Sequence, residues 1–158
     1  MENSSRHVSV LLKETIDLLN IKLGKKYIDA TLGGGGHTAE ILKKGGIVLG
    51  LDQDQEAVER LRQRFETEIN ERRLIVMKGN FMNIGNIAQD NGFEKVDGVL
   101  FDLGMSSDQF ESNRGFSFMK DELLDMRMDS DLGVTAADLV NALSQKELSG
   151  LFSRLAQV

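Results

Sequence analysis

The stretch that decides the fold is Tyr27-Ile28-Asp29-Ala30-Thr31-Leu32-Gly33-Gly34-Gly35-Gly36-His37. It begins as a short apolar strand that ends in the acid Asp29, and it continues through four consecutive glycines to a helix predicted from Thr38 onward. Because glycine has no Cβ atom, backbone N–H groups in such a turn can approach a ligand closely. A glycine turn between a strand and a helix N-terminus is typical of a loop that cradles a nucleotide-like ligand. A flexible hairpin tip is the alternative interpretation.

Three further apolar segments have the pattern of buried parallel strands. Ile47–Asp52 and Val96–Asp102 each end in an acid, and Arg73–Met77 leads into Asn80 and Phe81. The helices predicted before and between the strands are Ser9–Leu19, Thr38–Lys44, Asp54–Ile69 and a segment marked by Ile84, Ile87 and Ala88, which Gly92 should end. Strands that alternate with helices predict an α/β fold, in which right-handed βαβ units build a parallel sheet.

Ligands of such sheets bind at the carboxyl ends of the strands. Asp29, Asp52, Phe81 and Asp102 all follow or end predicted strands, so we expect these side chains to converge at one edge of the sheet. This convergence is stronger evidence for a ligand site than any single motif.

Two kinds of ligand fit a glycine loop that is followed by an acid. Gly34-x-Gly36-x-x-Ala39, with Asp52 to hold a ribose, matches the dinucleotide pattern. In S-adenosylmethionine sites the loop N–H groups take the carboxylate of the amino-acid end, an acid placed like Asp29 suits its ammonium group, and an acid placed like Asp52 takes the ribose diol. Acids at both Asp29 and Asp102 would repel a pyrophosphate, so the charges favour the cationic sulfonium ligand. A nicotinamide cofactor stays the alternative.

Composition narrows the class of protein further. The chain has 158 residues and no cysteine, so neither disulfides nor a thiolate metal site is available. No His, Asp and Glu set has metal-ligand spacing, and we predict no metal site. We expect no membrane partner because no apolar run approaches the ~18 residues of a span, and residues 1–6 lack the apolar core of a secretory signal. A cytoplasmic location is therefore expected, and the net charge of −6 argues against a free-standing nucleic-acid binder.

The second part of the chain has a different character. Leu103–Ser130 is rich in glycine, serine and charge and is predicted to be irregular, which beside a ligand edge is more often functional than not. A helix is predicted over Thr135–Ala142, and a capping box at Ser144 and Glu147 opens another.

Several motifs in order closely resemble the bacterial 16S rRNA (cytosine-N4)-methyltransferase family. They are Asp29-Ala30-Thr31-Leu32-Gly33-Gly34-Gly35-Gly36-His37, Gly79-Asn80-Phe81, Asp102-Leu103-Gly104-Met105-Ser106-Ser107, Arg114-Gly115-Phe116-Ser117-Phe118 and Leu124-Asp125-Met126-Arg127-Met128-Asp129. The last two blocks are highly specific, whereas the glycine loop alone would not be. The resemblance implies a Rossmann-like class I methyltransferase that uses S-adenosylmethionine to methylate N4 of a cytidine near the decoding site.

The resemblance also assigns residues. Together with Asp29 and Gly33 from the residue pattern, the predicted cofactor contacts are Gly35, Gly36, His37, Asp52, Phe81, Asp102 and Gln109. Asp102 is the predicted catalytic residue, because an acceptor that holds the N–H groups of N4 would expose the nitrogen lone pair. The alternative is that Asp102 binds cofactor only.

The other residues also have two interpretations each. His37 is a donor beside the cofactor carboxylate or a structural N-cap, and Phe81 stacks on adenine or fills the core. Ser106, Asp125 and Arg127 are predicted to face the substrate, with a salt-bridge cluster as the alternative for the last two.

The chain departs from the family pattern in ways that bear on its organisation. Family members usually have Ser-Ser-Pro-Gln where this chain has Ser106-Ser107-Asp108-Gln109, and they often have Gly-Pro where it has Glu122-Leu123, so both changes remove a rigid residue from a loop on the substrate side. Family members are also longer, with a helical domain inserted into the sheet and further strands after it. We therefore predict a cofactor-binding half-domain over residues 1–107 and, over residues 108–158, the substrate-side loop and the start of the inserted domain.

The predicted partner is 16S rRNA in the small ribosomal subunit, with a homodimer left open. Little or no activity is expected from this length of chain alone. A non-catalytic S-adenosylmethionine-binding module is the alternative function, and a nicotinamide-dependent dehydrogenase domain is a further one.

Overall fold

The computed structural model describes residues 9–156, apart from the side chains of Ser107 and Asp108. The described helices and strands are α1 (Leu12–Leu19), β1 (Lys26–Asp29), α2 (Gly36–Lys43), β2 (Ile47–Asp52), α3 (Gln55–Arg64), α4 (Glu66–Asn70), β3 (Leu74–Lys78), a 3₁₀ turn (Phe81–Asn83), α5 (Ile84–Asp90), β4 (Gly98–Leu100), α6 (Ser107–Glu111), α7 (Ala136–Ala142) and α8 (Gln145–Leu155). The chain divides into two compact units between Ser107 and Asp108.

The first unit contains a parallel sheet in the spatial order β3-β2-β1-β4. Lys26 of β1 pairs with Ile47 of β2, Val48 pairs with Leu74 of β3, and Tyr27 pairs with Gly98 of β4. This is the order in which the strands of a doubly wound nucleotide-binding sheet begin. The predicted α/β fold with a Rossmann-like parallel sheet is confirmed.

Both faces of the sheet are covered by helices, which explains why its strands have continuous apolar runs. One core cluster joins Tyr27 and Val48 of the sheet to Ile41 of α2 and Leu61 of α3. The other joins Ile28, Leu49 and Leu51 to Ala88 of α5 and to Phe93. Alternate residues of each strand therefore point to opposite faces, and both faces are anchored in apolar contacts.

The helix predicted over Asp54–Ile69 is divided in two. Phe65 has φ −109° and ψ 27°, outside the helical region, and its ring is buried in the first core cluster. Asp54 is the N-cap of α3, and its carboxylate accepts a hydrogen bond of 3.1 Å from the backbone N–H of Glu56. The helix that was predicted to end at Gly92 is α5. It ends at Asp90, and Gly92 has a φ of +73°, as expected for a glycine that follows a helix.

The strand predicted over Val96–Asp102 is too long, because β4 spans only Gly98–Leu100. The carbonyl of Leu100 accepts the N–H of Ala30 at 2.9 Å, but the N–H of Asp102 then donates to the side-chain oxygen of Thr31 at 2.7 Å. A side chain thus replaces the backbone ladder at this point. The first helix is also shorter than predicted. It begins at Leu12 rather than at Ser9, because Leu11 has a φ of +48°, outside the helical region.

The second unit combines short helices with turns. Helix α6 lies inside the segment predicted to be irregular, and this part of the prediction is wrong. The capping box of Ser144 and Glu147 at the start of α8 is confirmed, and Thr135 with Asp138 forms a second one at α7. No helix of the described part is both long and apolar enough to cross a membrane.

Candidate functional site

The glycine loop lies between β1 and α2 and is shaped by tight contacts. Gly35 has a φ of +76°, and a Cβ atom built on it would lie 2.8 Å from Leu61 Cδ2 and 2.8 Å from Phe65 Cε2. Glycine is therefore required at this position for packing as well as for conformation. Helix α2 begins at Gly36, two residues earlier than predicted, and no side chain of the described residues caps it. Its first N–H groups are thus available to an anionic group of a ligand.

Asp29 lies beneath this loop rather than on its surface. The residue is 1% exposed, and its carboxylate accepts hydrogen bonds from Thr38 Oγ1 at 2.7 Å and from the N–H of Thr31 at 3.3 Å. Burial raises the pKa of the carboxyl group, and the two hydrogen bonds oppose that rise. The side chain ties the end of β1 to the first turn of α2. Its direct contact with an ammonium group stays a prediction.

Asp52 connects the loop to the end of β2. Its Oδ2 accepts the N–H of Gly33 at 2.8 Å, and its Oδ1 accepts the N–H of Asp54 at 2.9 Å. Burial raises the pKa of this carboxyl group as well, against the backbone hydrogen bonds that lower it. Each carboxylate oxygen has a second acceptor position, so the fixed side chain can still take hydroxyl donors such as a ribose diol.

The side chains of Asp102, which follows β4, and His37, in the first turn of α2, lie next to each other. Thr31 Oγ1 holds the backbone of Asp102, and the Asp102 side chain is 40% exposed. His37 is buried, and its Nδ1 lies 3.8 Å from Asp102 Oδ2. The Nε2 atom lies 3.2 Å from the carbonyl oxygen of Val10. His37 is in the first turn of α2 and not at its N-cap position, which Gly35 occupies.

Aromatic rings line the edge next to β3. The rings of Phe81 and Phe101 meet edge to face, with centroids 5.7 Å apart. Phe81 is partly buried against the second core cluster, and Phe101 is 46% exposed. Asn80 Nδ2 donates to Gln53 Oε1 at 2.8 Å, which joins the ends of β3 and β2. Phe81 thus fills core space and is also placed where an aromatic ligand could contact its exposed part.

Of the predicted substrate residues, Ser106 belongs to the first unit, and its Cβ lies 4.0 Å from a Cβ atom built on Gly33. Asp125 and Arg127 belong to the second unit, and their side chains form two hydrogen bonds of 2.7 Å. This bidentate contact lowers the pKa of Asp125 to about 2 and raises that of Arg127. Gln109 lies in α6 and is 8% exposed.

Sequence patterns missed several residues of this site. Thr31 and Thr38 stand inside the glycine motif, and their hydroxyl groups gave the only available signal. Arg64 donates to the carbonyl of Gly34 and brings a positive charge to the loop, but nothing in its helical spacing indicated that contact. The carbonyl of Val10 carries no sequence signal. Among residues 9–156, no group of His, Asp and Glu side chains is arranged to hold a metal ion.

Comparisons with known proteins identify the family of the chain. The model of the MraW methylase family matches residues 4–157. A relative from Clostridium botulinum (strain Loch Maree / Type A3), named ribosomal RNA small subunit methyltransferase H, is 45% identical over 156 residues, which cover 96% of this chain and 50% of that protein. A protein of the same name from Carboxydothermus hydrogenoformans is 50% identical over 148 residues, or 92% of this chain and 47% of the relative.

A solved structure described as a putative rRNA methylase from Clostridium thermocellum is 24% identical, with a TM-score of 0.49 over 60% of this chain and 52% of that one. The chain spans about half the length of the curated relatives it matches. The family resemblance read from the motifs is confirmed, and because the family model matches nearly every residue, this chain belongs to the MraW methylase family.

Proposed function

We propose that this chain binds S-adenosylmethionine at the carboxyl edge of its sheet and forms the cofactor-binding part of an rRNA (cytosine-N4)-methyltransferase. The observation that carries the proposal is the convergence of acids around one glycine loop. Asp52 is bonded to Gly33 of the loop, and Asp102 is held by Thr31 of the same turn. Family membership and the names of the relatives support the choice of reaction.

The residues present fit this cofactor in charge and in hydrogen-bonding chemistry. The uncapped start of α2 offers N–H donors for the carboxylate of the amino-acid end. Asp52 offers acceptors for the ribose hydroxyls, and Phe81 lies at the end of β3 with a partly exposed ring for the adenine. A pyrophosphate at the same place would face two acids, Asp52 and Asp102, and would be repelled.

When bound, S-adenosylmethionine supplies a methyl group on a cationic sulfur. Its transfer to a nitrogen would be an in-line displacement with the thioether as the leaving group, so the residues of the site would have to orient the acceptor nitrogen toward the donor. Asp102 is half exposed at the end of β4 and accepts hydrogen bonds. In this role it would accept hydrogen bonds from the N–H groups of the target amine, so that the nitrogen lone pair would point at the methyl carbon, and the proton that the methylated nitrogen releases would pass to solvent. Gln109, which belongs to the second unit, stays a predicted cofactor contact.

The substrate we propose is N4 of a cytidine in 16S rRNA of the small ribosomal subunit, in the cytoplasm, with Ser106, Asp125 and Arg127 on the substrate side. Arg127 is already paired with Asp125. We therefore propose that this pair shapes a loop for the RNA rather than contacting phosphates as a free cation. The rest of a longer protein would be needed for full activity.

Calorimetry with S-adenosylhomocysteine and with NADH tests the cofactor assignment. We expect S-adenosylhomocysteine to bind and NADH not to bind. Asp52→Asn should weaken binding by about tenfold or more, because an amide cannot accept from both the Gly33 and Asp54 N–H groups. Asp97→Asn is the matched control, since Asp97 is an exposed acid before β4, at the opposite edge of the sheet. Binding of NADH alone would contradict the proposal.

Methyl transfer separates an enzyme from a non-catalytic binding module. Labelled S-adenosylmethionine is supplied with small ribosomal subunits to this chain, from which little or no transfer is expected, to a full-length relative, and to that relative with the acid that matches Asp102 replaced by alanine. Label on a cytidine that disappears in the variant, while cofactor affinity is kept, supports a catalytic role for Asp102. Cofactor binding without any transfer, even by a full-length relative under the same conditions, would contradict the proposed reaction.

A further inference from the structure

We propose that Glu122 is a positioning residue for the turn in which the side chain of Asp125 meets that of Arg127. Its carboxylate acts by fixing the orientation of the peptide group between Arg114 and Gly115. The inference rests on the proposed function in one respect, because it bears on the reaction only if the turn lies on the substrate side. Family members often carry glycine at the position of Glu122, so the family pattern assigns this side chain no role.

The Glu122 carboxylate is enclosed by the second unit, to which all of these residues belong. Its side chain is 6% exposed, and its Oε2 accepts a hydrogen bond of 2.9 Å from the N–H of Gly115. Its Oε1 is buried without a hydrogen-bond partner among the described residues, and the Nζ atom of Lys120 lies 3.4 Å away. Burial of a charged group is unfavourable unless the group is paired and hydrogen-bonded. The contacts with Gly115 and Lys120 therefore keep this carboxylate in place.

The peptide group between Arg114 and Gly115 is bonded at both of its polar atoms by the segment of residues 122–126. Its N–H donates to Glu122, and its carbonyl oxygen accepts the N–H of Met126 at 2.8 Å. A flip of the peptide plane would break both hydrogen bonds at once. Gly115 has a φ of +76°, and glycine adopts φ values of either sign without steric cost. Glu122 thus selects one of two orientations that the glycine allows.

The backbone of Gly115 also lies directly against the segment that leads into the turn. A Cβ atom built on Gly115 would lie 2.4 Å from the carbonyl oxygen of Leu123 and 3.2 Å from the Cα atom of Leu124. At this distance a rotation of the Gly115 peptide displaces the backbone just before Asp125.

Met126 is the residue that depends on this arrangement. Its φ of +56° is in the left-handed region, which is uncommon for a residue with a side chain. Such a conformation persists where several contacts determine it together. One of them is its hydrogen bond to the Arg114 carbonyl. In this conformation the neighbours of Met126 meet, and the side chains of Asp125 and Arg127 form two hydrogen bonds of 2.7 Å.

Amide hydrogen exchange of the whole chain, recorded without any ligand, tests the proposal. Glu122→Ala removes the acceptor, and exchange should become faster by about tenfold or more at Gly115 and also at Met126. The N–H of Met126 donates to Arg114 and not to Glu122, so its response measures the orientation of the peptide group. Faster exchange at Gly115 alone, or at neither residue, would overturn the proposal.

Two further variants serve as the comparison for Glu122→Ala. Glu122→Gln keeps an oxygen that accepts from Gly115, so it should change both exchange rates by less than about threefold. Asp121→Ala is the matched control, since Asp121 is the exposed acid next to Glu122 in the chain, and it should change neither rate. A response to Asp121→Ala as large as that to Glu122→Ala would contradict the specific contact.

The titration of Asp125 gives a readout that the loss of a charge cannot imitate. Arg127 holds the pKa of Asp125 at about 2, and removal of a neighbouring carboxylate would by itself lower that pKa further. We expect Glu122→Ala to raise it toward the ordinary value of 3.8 instead, because Arg127 is no longer held against Asp125. Glu122→Gln, which loses the same charge, should leave it at about 2. An unchanged or lower pKa of Asp125 in Glu122→Ala would overturn the proposal.

The outcomes separate a positioning role from general stability and from the proposed function. The N–H of Leu148 at the start of α8 donates to the carbonyl of Ser144, and its protection should be the same in every variant. Loss of that protection together with that of Met126 would assign Glu122 a general role in stability and overturn the positioning role. None of these measurements uses a cofactor or RNA, so their failure leaves the proposed function intact. Failure of the chain to bind S-adenosylhomocysteine would overturn the proposed function and leave the role of Glu122 in the turn intact.

Discussion

The two units of the chain are stabilised by different kinds of interaction. Among the described residues, every buried apolar side chain except that of Phe116 belongs to the first unit. The second unit exposes large apolar side chains, including Phe118 and Leu123 at 95% and 85%. Its order comes from short-range polar contacts, such as the two capping boxes and the pair of Asp125 and Arg127.

This difference explains why the candidate site is built where it is. Carboxylates that must hold a charged ligand need fixed positions, and a packed sheet with a core on both faces provides them. In the first unit, Asp29 and Asp52 are each held by two hydrogen bonds over that core. In the second unit, local contacts specify turns and helix starts without a core beneath them. Substitutions in the first unit should therefore change stability more than substitutions in the second unit, and their effects should extend over more of the chain.

The largest effect is expected at the glycine loop. Gly35→Ala should lower the free energy of unfolding by about 2–4 kcal/mol, because the new methyl group meets Leu61 and Phe65 and the positive φ is strained. Gly85→Ala in α5 is the matched control. Nothing lies within 4 Å of the position of its Cβ, so it should raise stability by about 0.5–1 kcal/mol. Denaturant unfolding measures both, and equal effects would contradict the packed loop.

The buried acid beneath the loop should give the next largest effect. Asp29→Ala leaves the N–H of Thr31 and the hydroxyl of Thr38 without their acceptor, at a cost of about 1–3 kcal/mol. Asp29→Asn should cost less, because its amide can accept from Thr31 while the Thr38 hydroxyl turns to accept from the amide NH₂ group.

The Asn variant also changes the dependence of stability on pH. The folded-state pKa of Asp29 is raised above its ordinary value of 3.8, so the protonated acid is favoured in the folded protein. The contribution of protonated Asp29 to the free energy of unfolding is complete below pH 3.8. It is lost as pH rises from there through the raised pKa of the folded state. Asp29→Asn cannot lose it. Urea unfolding from pH 3.5 upward should show the variant gaining on the original chain as pH rises, and parallel curves would refute the burial of a titrating Asp29.

A smaller effect is expected where Thr31 holds Asp102. Thr31→Val keeps the shape and removes the oxygen that accepts the Asp102 N–H at 2.7 Å, so stability should fall by about 1 kcal/mol. Thr31→Ser keeps the oxygen and should retain most of the hydrogen bond. Amide hydrogen exchange at Asp102 provides the direct measurement, with faster exchange in the Val variant only. Equal exchange in both variants would show that the contact does not hold Asp102.

Effects in the second unit should be small and local. Ser144→Ala removes the side chain that accepts the Glu147 N–H at the start of α8, which should cost about 1 kcal/mol of local helix stability. Circular dichroism and hydrogen exchange should show fraying of α8 with the first unit unchanged. Loss of protection in β1 or β2 would contradict the division into two units.

The ion pair of Asp125 and Arg127 should change the pKa of Asp125 more clearly than it changes the free energy of unfolding. We expect an Asp125 pKa of about 2 by carbon-detected NMR, and a return toward the ordinary value of 3.8 in Arg127→Gln. The contribution to stability is present above that ordinary value and is lost as pH falls through the lowered pKa. An unchanged Asp125 titration in the variant would show that the pair is not formed.

The sequence predicted the architecture well where it depends on periodicity. The span of β2 was predicted residue for residue, because Ile47–Asp52 is a continuous apolar run between glycines and an acid. The early end of β4 could not be predicted, since it depends on the Thr31 hydroxyl, 71 residues away in sequence. The break at Phe65 likewise depends on tertiary packing against the glycine loop.

The sequence predicted that acids end neighbouring strands, but not which groups hold those acids in the fold. Strand ends place Asp29, Asp52 and Asp102 at one edge, which sequence spacing can show. That Asp29 is buried below the loop while Asp102 is exposed depends on Thr38 and on the pleat, which spacing does not reveal. The contact of His37 with the backbone carbonyl of Val10 could not be predicted either, because carbonyls are present at every residue.

An amide NMR titration of the chain with S-adenosylmethionine tests the central claim most directly. The account predicts saturable shifts at the carboxyl ends of the strands, at Gly33, Gly36, Asp52 and Asp102, and none at the amino ends of the same strands, at Lys26, Ile47 and Leu74. Shifts confined to the amino ends, or no shifts at saturating cofactor, would contradict it.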